Sequence, residues 1–182
     1  MYKLLSGNGL SSIDLSIFNT LSATDISHLF AICKSLKKVS LNSIDTMKMK
    51  DTSYFFYSFN SLTRLNINRI NTFFVINMPR MFSNCISLQE IEFNKIKTTN
   101  VHDMSFILEN CQKLKHLNFD TIKSENSRNL SGMFKDCISL TTLYLLDFKT
   151  DNAVDMSYMF YNMNLRSFDL PKFITNNVEI MA

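Results

Sequence analysis

The side chains in this 182-residue chain with chemistry to offer are three histidines, four cysteines and a close pair of glutamates. A structural metal site needs about four such ligands brought together, typically through spacings such as C-x-x-C. Cys33, Cys85, Cys111 and Cys137 instead stand at multiples of 26 residues, and His28, His102 and His116 fall on three different positions of that period. No metal or other cofactor is expected. The cysteines read as buried, reduced thiols, since free cysteine packs as a small apolar residue and Phe59 fills the corresponding place between Cys33 and Cys85. Glu90 and Glu92 would project from one side of an extended segment at about 7 Å, close to a glycosidase separation, yet on an open face they read as a solvated pair. Serines, histidines and aspartates sit at periodic positions, which argues against a catalytic triad. Gly7, Gly9 and Gly132 make no glycine-rich phosphate loop. The expectation is a protein that is not an enzyme.

What positions these side chains is a repeat. Stepping back by 26 from Cys137 reaches Cys111, Cys85, Phe59, Cys33 and Gly7 without insertion or deletion. Leu10, Leu36, Leu62, Leu88, Leu114 and Leu140 form one column, followed three residues on by Ile13, Val39, Leu65, Ile91, Leu117 and Leu143, and two further by Leu15, Leu41, Ile67, Phe93, Phe119 and Leu145. In this L-x-x-L-x-L pattern the last two columns share one face of a strand, because side chains alternate in extended chain. Each repeat therefore contributes a short strand, and a return every 26 residues stacks the strands in parallel. A hydroxyl column follows, Thr20, Thr46, Thr72, Thr98, Ser124, Thr150 and Thr175. With glycine scarce, it reads as a structural ladder satisfying backbone groups in the turn.

The second half of the unit changes period. Ile26, Met78, Met104, Leu130 and Met156 are followed at +3 and +4 by apolar pairs such as Met81 and Phe82 or Met133 and Phe134, and at +7 by the cysteine column. That spacing predicts a helix of about two turns. Asp25, Asp51, Asn77, Asp103, Asn129 and Asp155 stand just before it, where such residues cap helices. Pro79 falls within the first turn, where a missing N–H costs little. The fold class expected is an α/β solenoid with one parallel strand and one short helix per 26-residue repeat. It forms a single domain over 1–182, with about six full repeats from residue 7 and a partial one at the C-terminal end.

Composition narrows the partners. A net charge of +3 from 19 basic and 16 acidic side chains is too small and dispersed for a nucleic-acid footprint. No run approaches the roughly 18 apolar residues of a membrane helix, so no membrane insertion is expected, and the first residues lack the apolar stretch of a secretory signal.

MFSNCISLQEIEF (Met81 to Phe93), NVHDMS (Asn100 to Ser105), MFKDCISLTTLYL (Met133 to Leu145) and DMSYMFYN (Asp155 to Asn162) resemble the 26-residue leucine-rich repeat of the BspA-like bacterial surface protein family, over nearly the whole chain. The resemblance implies a non-catalytic adhesion or protein-binding module, with a protein or cell-surface or matrix ligand and a cell-surface or secreted location. The missing export signal leaves a cytoplasmic location open. In leucine-rich solenoids the strands line the concave face. Its outward residues are the candidate site: Lys38, Arg64, Glu90, Glu92, His116, Asn118, Tyr144 and Leu146. Opposite them Tyr54, Tyr57, Phe106, Tyr158 and Tyr161 would lie on the helices. The alternative is an intracellular scaffold that self-associates end to end through raw strand edges.

Overall fold

The computed structural model describes residues 5–7, 9–14, 20, 22–41, 44, 46–68, 70–93, 96–166 and 173–181. Of the positions named above, Leu15 lies outside them. Six short strands follow one another: β1 (Ser12–Ile13), β2 (Lys38–Val39), β3 (Arg64–Asn66), β4 (Glu90–Glu92), β5 (His116–Asn118) and β6 (Thr142–Tyr144). They pair in parallel as β1 with β2, β3 with β4 and β5 with β6, in registers such as Leu65 opposite Ile91 and Leu117 opposite Leu143. Each register is the repeat itself, so the chain winds in rungs laid one above another.

The helix expected in each repeat does not form, and none occurs among the described residues. The residues from 104 to 111 show what replaces it. Ile107, Glu109 and Cys111 donate their N–H groups to the carbonyls of Met104, Phe106 and Leu108, closing three successive turns within the rung. The intervening N–H groups, of Met104, Phe106, Leu108 and Asn110, donate to Asn129, Ser131, Met133 and Lys135 of the next rung at 2.7–3.0 Å. In a helix starting at Met104, the Leu108 and Asn110 N–H groups would instead bond within the segment, to the carbonyls four residues back. The alternation needs left-handed backbone at two places per rung, and φ is 54° at Phe106 and 60° at Asn110, with equivalents at Tyr54 and Ser58, Arg80 and Asn84, and Gly132 and Asp136.

The aspartate column keeps its chemistry but caps no helix. Asp25, Asp51, Asp103 and Asp155 each accept from the N–H two residues on, at 2.7–2.9 Å, as does Asn129 from Ser131 at 3.1 Å. These are side-chain-mediated turns. The same residues form a second parallel ladder through their backbones, from Asp25 to Asp51, Asn77, Asp103, Asn129, Asp155 and Ile180. Pro79 takes the place of the residue whose N–H would meet Asn77, and its carbonyl still accepts from Tyr54.

Although the local conformation differs, the expected apolar columns supply the core, with Leu10 exposed in the first rung and Ile13, Val39 and Ile91 half-buried against that core. Met78, Met81, Phe82, Cys85, Met104, Leu108, Cys111, Met133, Phe134 and Cys137 are buried, as are the strand leucines Leu65, Leu117 and Leu143. Phe30, Phe56 and Phe82 stack at 6.0 and 5.6 Å along the coil. Burying each such side chain contributes roughly 1.5–3 kcal/mol, and because the columns run through all rungs no rung holds its core alone.

The hydroxyl column forms the expected ladder. Thr98 Oγ1 donates to the Lys123 carbonyl at 2.7 Å and accepts from the Lys123 N–H at 2.8 Å; Thr72 with Lys97 and Ser124 with Lys149 repeat the motif. Replacing Thr98 by valine strands two backbone groups beside a buried site. Thr98→Val is therefore expected to cost about 1–3 kcal/mol in urea denaturation, whereas Thr98→Ser should fold with close to native stability.

Candidate functional site

The strand face presents its outward residues because Leu65, Leu117 and Leu143 point inward between them. Register brings several together across the rungs. Arg64 faces Glu90, with Nη2 3.2 Å from Oε1. Glu92 Oε2 accepts from Asn66 Nδ2 at 2.6 Å and from Asn68 Nδ2 at 3.2 Å. Charge on this face is thus partly neutralised: Arg64 and Glu90 form one exposed pair of the kind worth at most about 1 kcal/mol, and Glu92 is held by amides. Asn118 faces Tyr144 across β5 and β6, and its Oδ1 accepts from the Asp120 N–H. Asp120 in turn accepts from the Leu146 N–H at 2.8 Å.

Lys38, His116, Tyr144 and Leu146 are exposed on this face and make no side-chain hydrogen bond or ion pair among the described residues. Tyr144 is 55% and Leu146 79% exposed, and they are the two large apolar side chains among the expected site residues. They sit where β6 ends, beside the turn set by Asp120. The face therefore divides into a self-paired polar half on β3 and β4 and an unpaired half carrying His116, Tyr144 and Leu146.

The opposite, turn-lined side holds residues that alternation alone does not reveal. One left-handed column runs His28, Tyr54, Arg80, Phe106, Gly132 and Tyr158. His28 stacks on Tyr54 with ring centres 4.3 Å apart, and the Arg80 guanidinium lies 4.1 Å from the centre of Phe106. Phe106 leans over Gly132, where a Cβ would collide with its ring. Beside this column Glu109 pairs with Arg80, accepts from Ser83 Oγ at 3.0 Å and lies 3.8 Å from Lys135. The expected aromatics are all here, but they pack on neighbouring turns: Tyr57 lies edge-on to Tyr54, and Tyr161 to Tyr158. The ionic cluster links residues 29 apart, Arg80 and Glu109, an offset visible in sequence only once the turn backbone is known.

All four cysteines are free and buried. Cys85, Cys111 and Cys137 donate Sγ–H to the carbonyls of Phe56, Phe82 and Leu108 at 3.2–3.3 Å, and Cys33 to Leu5 at 3.0 Å. Burial pushes the Cys85 and Cys137 thiols up to about 12 and raises that of Cys111 as well. No group of three or more His, Cys, Asp or Glu placed to hold a metal ion occurs among the described residues, and no helix there is long and apolar enough to cross a membrane.

The crystal structure of a leucine-rich repeat protein from Eubacterium ventriosum ATCC 27560, at 2.50 Å resolution, is similar to this chain with a TM-score of 0.52 and 19% identity. The likeness covers 86% of this chain and 38% of that one, so the chain spans well under half the length of its structural relative. Stacked parallel rungs carrying L-x-x-L-x-L strands thus define a repeat protein of the leucine-rich kind. The family described as "Mycoplasma protein of unknown function, DUF285" matches residues 1–118 and again 89–182, and the chain belongs to it. No curated protein matches the chain.

A thiol held protonated and buried is a poor nucleophile, since the thiolate is the reactive form. At pH 8 the native protein is expected to resist iodoacetamide over hours, while all four cysteines alkylate promptly in denaturant; rapid modification of native Cys85 or Cys137, read by mass spectrometry, would contradict their placement.

Proposed function

We infer that this chain is a non-catalytic binding module whose strand face docks a protein partner. The observation that carries the reading is the unpaired half of that face. Tyr144 and Leu146 stand in water beside an already ordered polar surface, and aromatic anchors next to pre-organised polar groups are typical of interface centres. Burying Tyr144 and Leu146 would release apolar surface that the fold itself leaves exposed. Glu92, Asn66 and Asp120, held by their neighbours, would lose little side-chain freedom on binding. The sequence resemblance to BspA-like surface proteins supports a finer reading, adhesion to a protein or matrix ligand outside the cell.

A self-associating scaffold is the second reading. It is supported by an apolar cavity of about 560 Å³ lined by Met156, Met159, Phe160 and Phe173, which a rung from a second copy would fill.

Purified chain, tested on intact cells and on an immobilised panel of extracellular-matrix proteins, is expected to show saturable binding to at least one. The double variant Tyr144→Ala/Leu146→Ser should weaken it by roughly thirtyfold, the equivalent of about 2 kcal/mol for an interface anchor, with an unchanged thermal melt. Equal binding by the variant would move the site off the strand face. Concentration-dependent light scattering, without binding to any surface, would favour the scaffold.

A further inference from the structure

A cavity of about 470 Å³ opens on the turn-lined side, walled by Arg80, Phe106, Glu109, Lys135, Tyr158 and Tyr161. Gly132 stands between Phe106 and Tyr158 in the left-handed column, whose other described members carry large side chains, and the Phe106 ring fills the place its Cβ would take. Tyr158 and Tyr161, both about half exposed, flank the opening from the next rung. We propose that this slot binds a neutral saccharide, a short pyranose oligomer stacked on the aromatic rings and hydrogen-bonded to the Arg80–Glu109–Lys135 cluster.

Three features of the wall select that ligand chemistry. The first is charge. Arg80 and Lys135 are matched by Glu109 and by Asp136, which lies 3.5 Å from Lys135, so the cluster offers donors and acceptors without a net field to attract an anion or a cation. The second is pre-organisation. Glu109 is held by Arg80 and Ser83, with its side chain only 14% exposed, and Lys135 sits 5.9 Å above the Tyr161 ring. Planar polar groups fixed in this way match adjacent hydroxyls, each of which both donates and accepts. The third is the state of the backbone. The N–H groups of Phe106, Asn110, Gly132 and Asp136 are all consumed by the next rung, leaving an extended peptide no main-chain partners here. A sugar needs none, because its C–H face packs on aromatic rings and its hydroxyls meet side chains. The volume lies within the roughly 300–1,000 Å³ of small-molecule sites.

The chain has six tyrosines and no tryptophan, so tyrosine emission is unmasked, and the part contributed by Tyr158 is read as the difference between the parent and the Tyr158→Ala variant. Titration with N,N′-diacetylchitobiose, cellobiose and maltose, checked by saturation-transfer NMR, is expected to give saturable binding of at least one at millimolar concentration or below. Tyr158→Ala should weaken it about tenfold, the equivalent of one stacking contact of about 1.4 kcal/mol, and Lys135→Gln, which leaves the aromatic walls in place, should also weaken it. Tyr144→Ala, on the strand face, should bind sugar as the parent does, which separates this site from the protein-docking surface. Absence of binding to all three sugars, binding unaffected by Tyr158→Ala, or a slot that takes only inorganic phosphate or a tyrosine-containing peptide would each overturn the assignment.

Discussion

Everything in this fold depends on how the turn segments divide their backbone N–H groups. Half close turns inside the rung and half reach the next one, so each rung is incomplete without its neighbour. The arrangement also explains the missing helix. Packed helices need about 8–10 Å between axes, whereas hydrogen-bonded strands lie about 4.8 Å apart. Here backbone bridges run through both sides of the rung, the strands on one and the Asp25-to-Ile180 ladder on the other. A side spaced by direct bridges has no room for helices, and the wedge that curves a strand-and-helix repeat is absent with them.

That constraint sets the residue types. Left-handed backbone costs an ordinary residue about 1–2 kcal/mol, and in the column Ile32, Ser58, Asn84, Asn110, Asp136 and Asn162 the last four members are the side chains that tolerate it best. Asn110 and Asn162 go further and donate across the rungs to Asn84 and Asp136 at 2.7 and 2.8 Å. The companion column cannot be explained by tolerance, since it holds His28, Tyr54, Arg80, Phe106 and Tyr158. Stacking between rungs offsets part of its strain in the His28–Tyr54 and Arg80–Phe106 contacts. The buried hydroxyls and thiols follow the same rule: a rung's inward polar atoms are satisfied by the backbone of an adjacent rung.

Much of this was legible in the residues. The 26-residue period, the inward columns, the hydroxyl ladder and the buried thiols all follow from which residues recur and where. The helix was misread because apolar residues at +3, +4 and +7 bury one face of a helix and equally the inside of three linked turns; periodicity reports burial, and the two backbones bury the same positions. The aspartate column added to the misreading, since an Asp that accepts from the N–H two residues on looks alike before a helix and at a side-chain-mediated turn. On the strand face, alternation placed Lys38, Arg64, Glu90, Glu92, His116, Asn118, Tyr144 and Leu146 correctly as outward residues. It did not show that Arg64 and Glu90 neutralise each other, although the repeat offset sets them opposite. The turn-side slot is not legible in the residues, because it depends on the turn backbone that brings Arg80, Glu109, Lys135 and Tyr161 from successive rungs to one surface.

A backbone that satisfies itself rung to rung leaves recognition to side chains, and only to those in outward columns. Within each column, neighbours 26 residues apart decide whether a side chain is available. Arg64 is matched by Glu90 and Asn66 by Glu92, whereas Tyr144 stands opposite Asn118 and remains half exposed. The same logic governs the turn-lined side, where Gly132 leaves room in a bulky column for the ring of Phe106 from the adjacent rung. Departures from the repeat's consensus thus set what each face presents: a half-exposed tyrosine on one, a missing side chain on the other. The two departures are held differently: the Tyr144 side chain makes no hydrogen bond among the described residues, whereas Gly132 has a φ of 57° and a Cβ there would collide with the Phe106 ring, so the fold itself fixes the glycine.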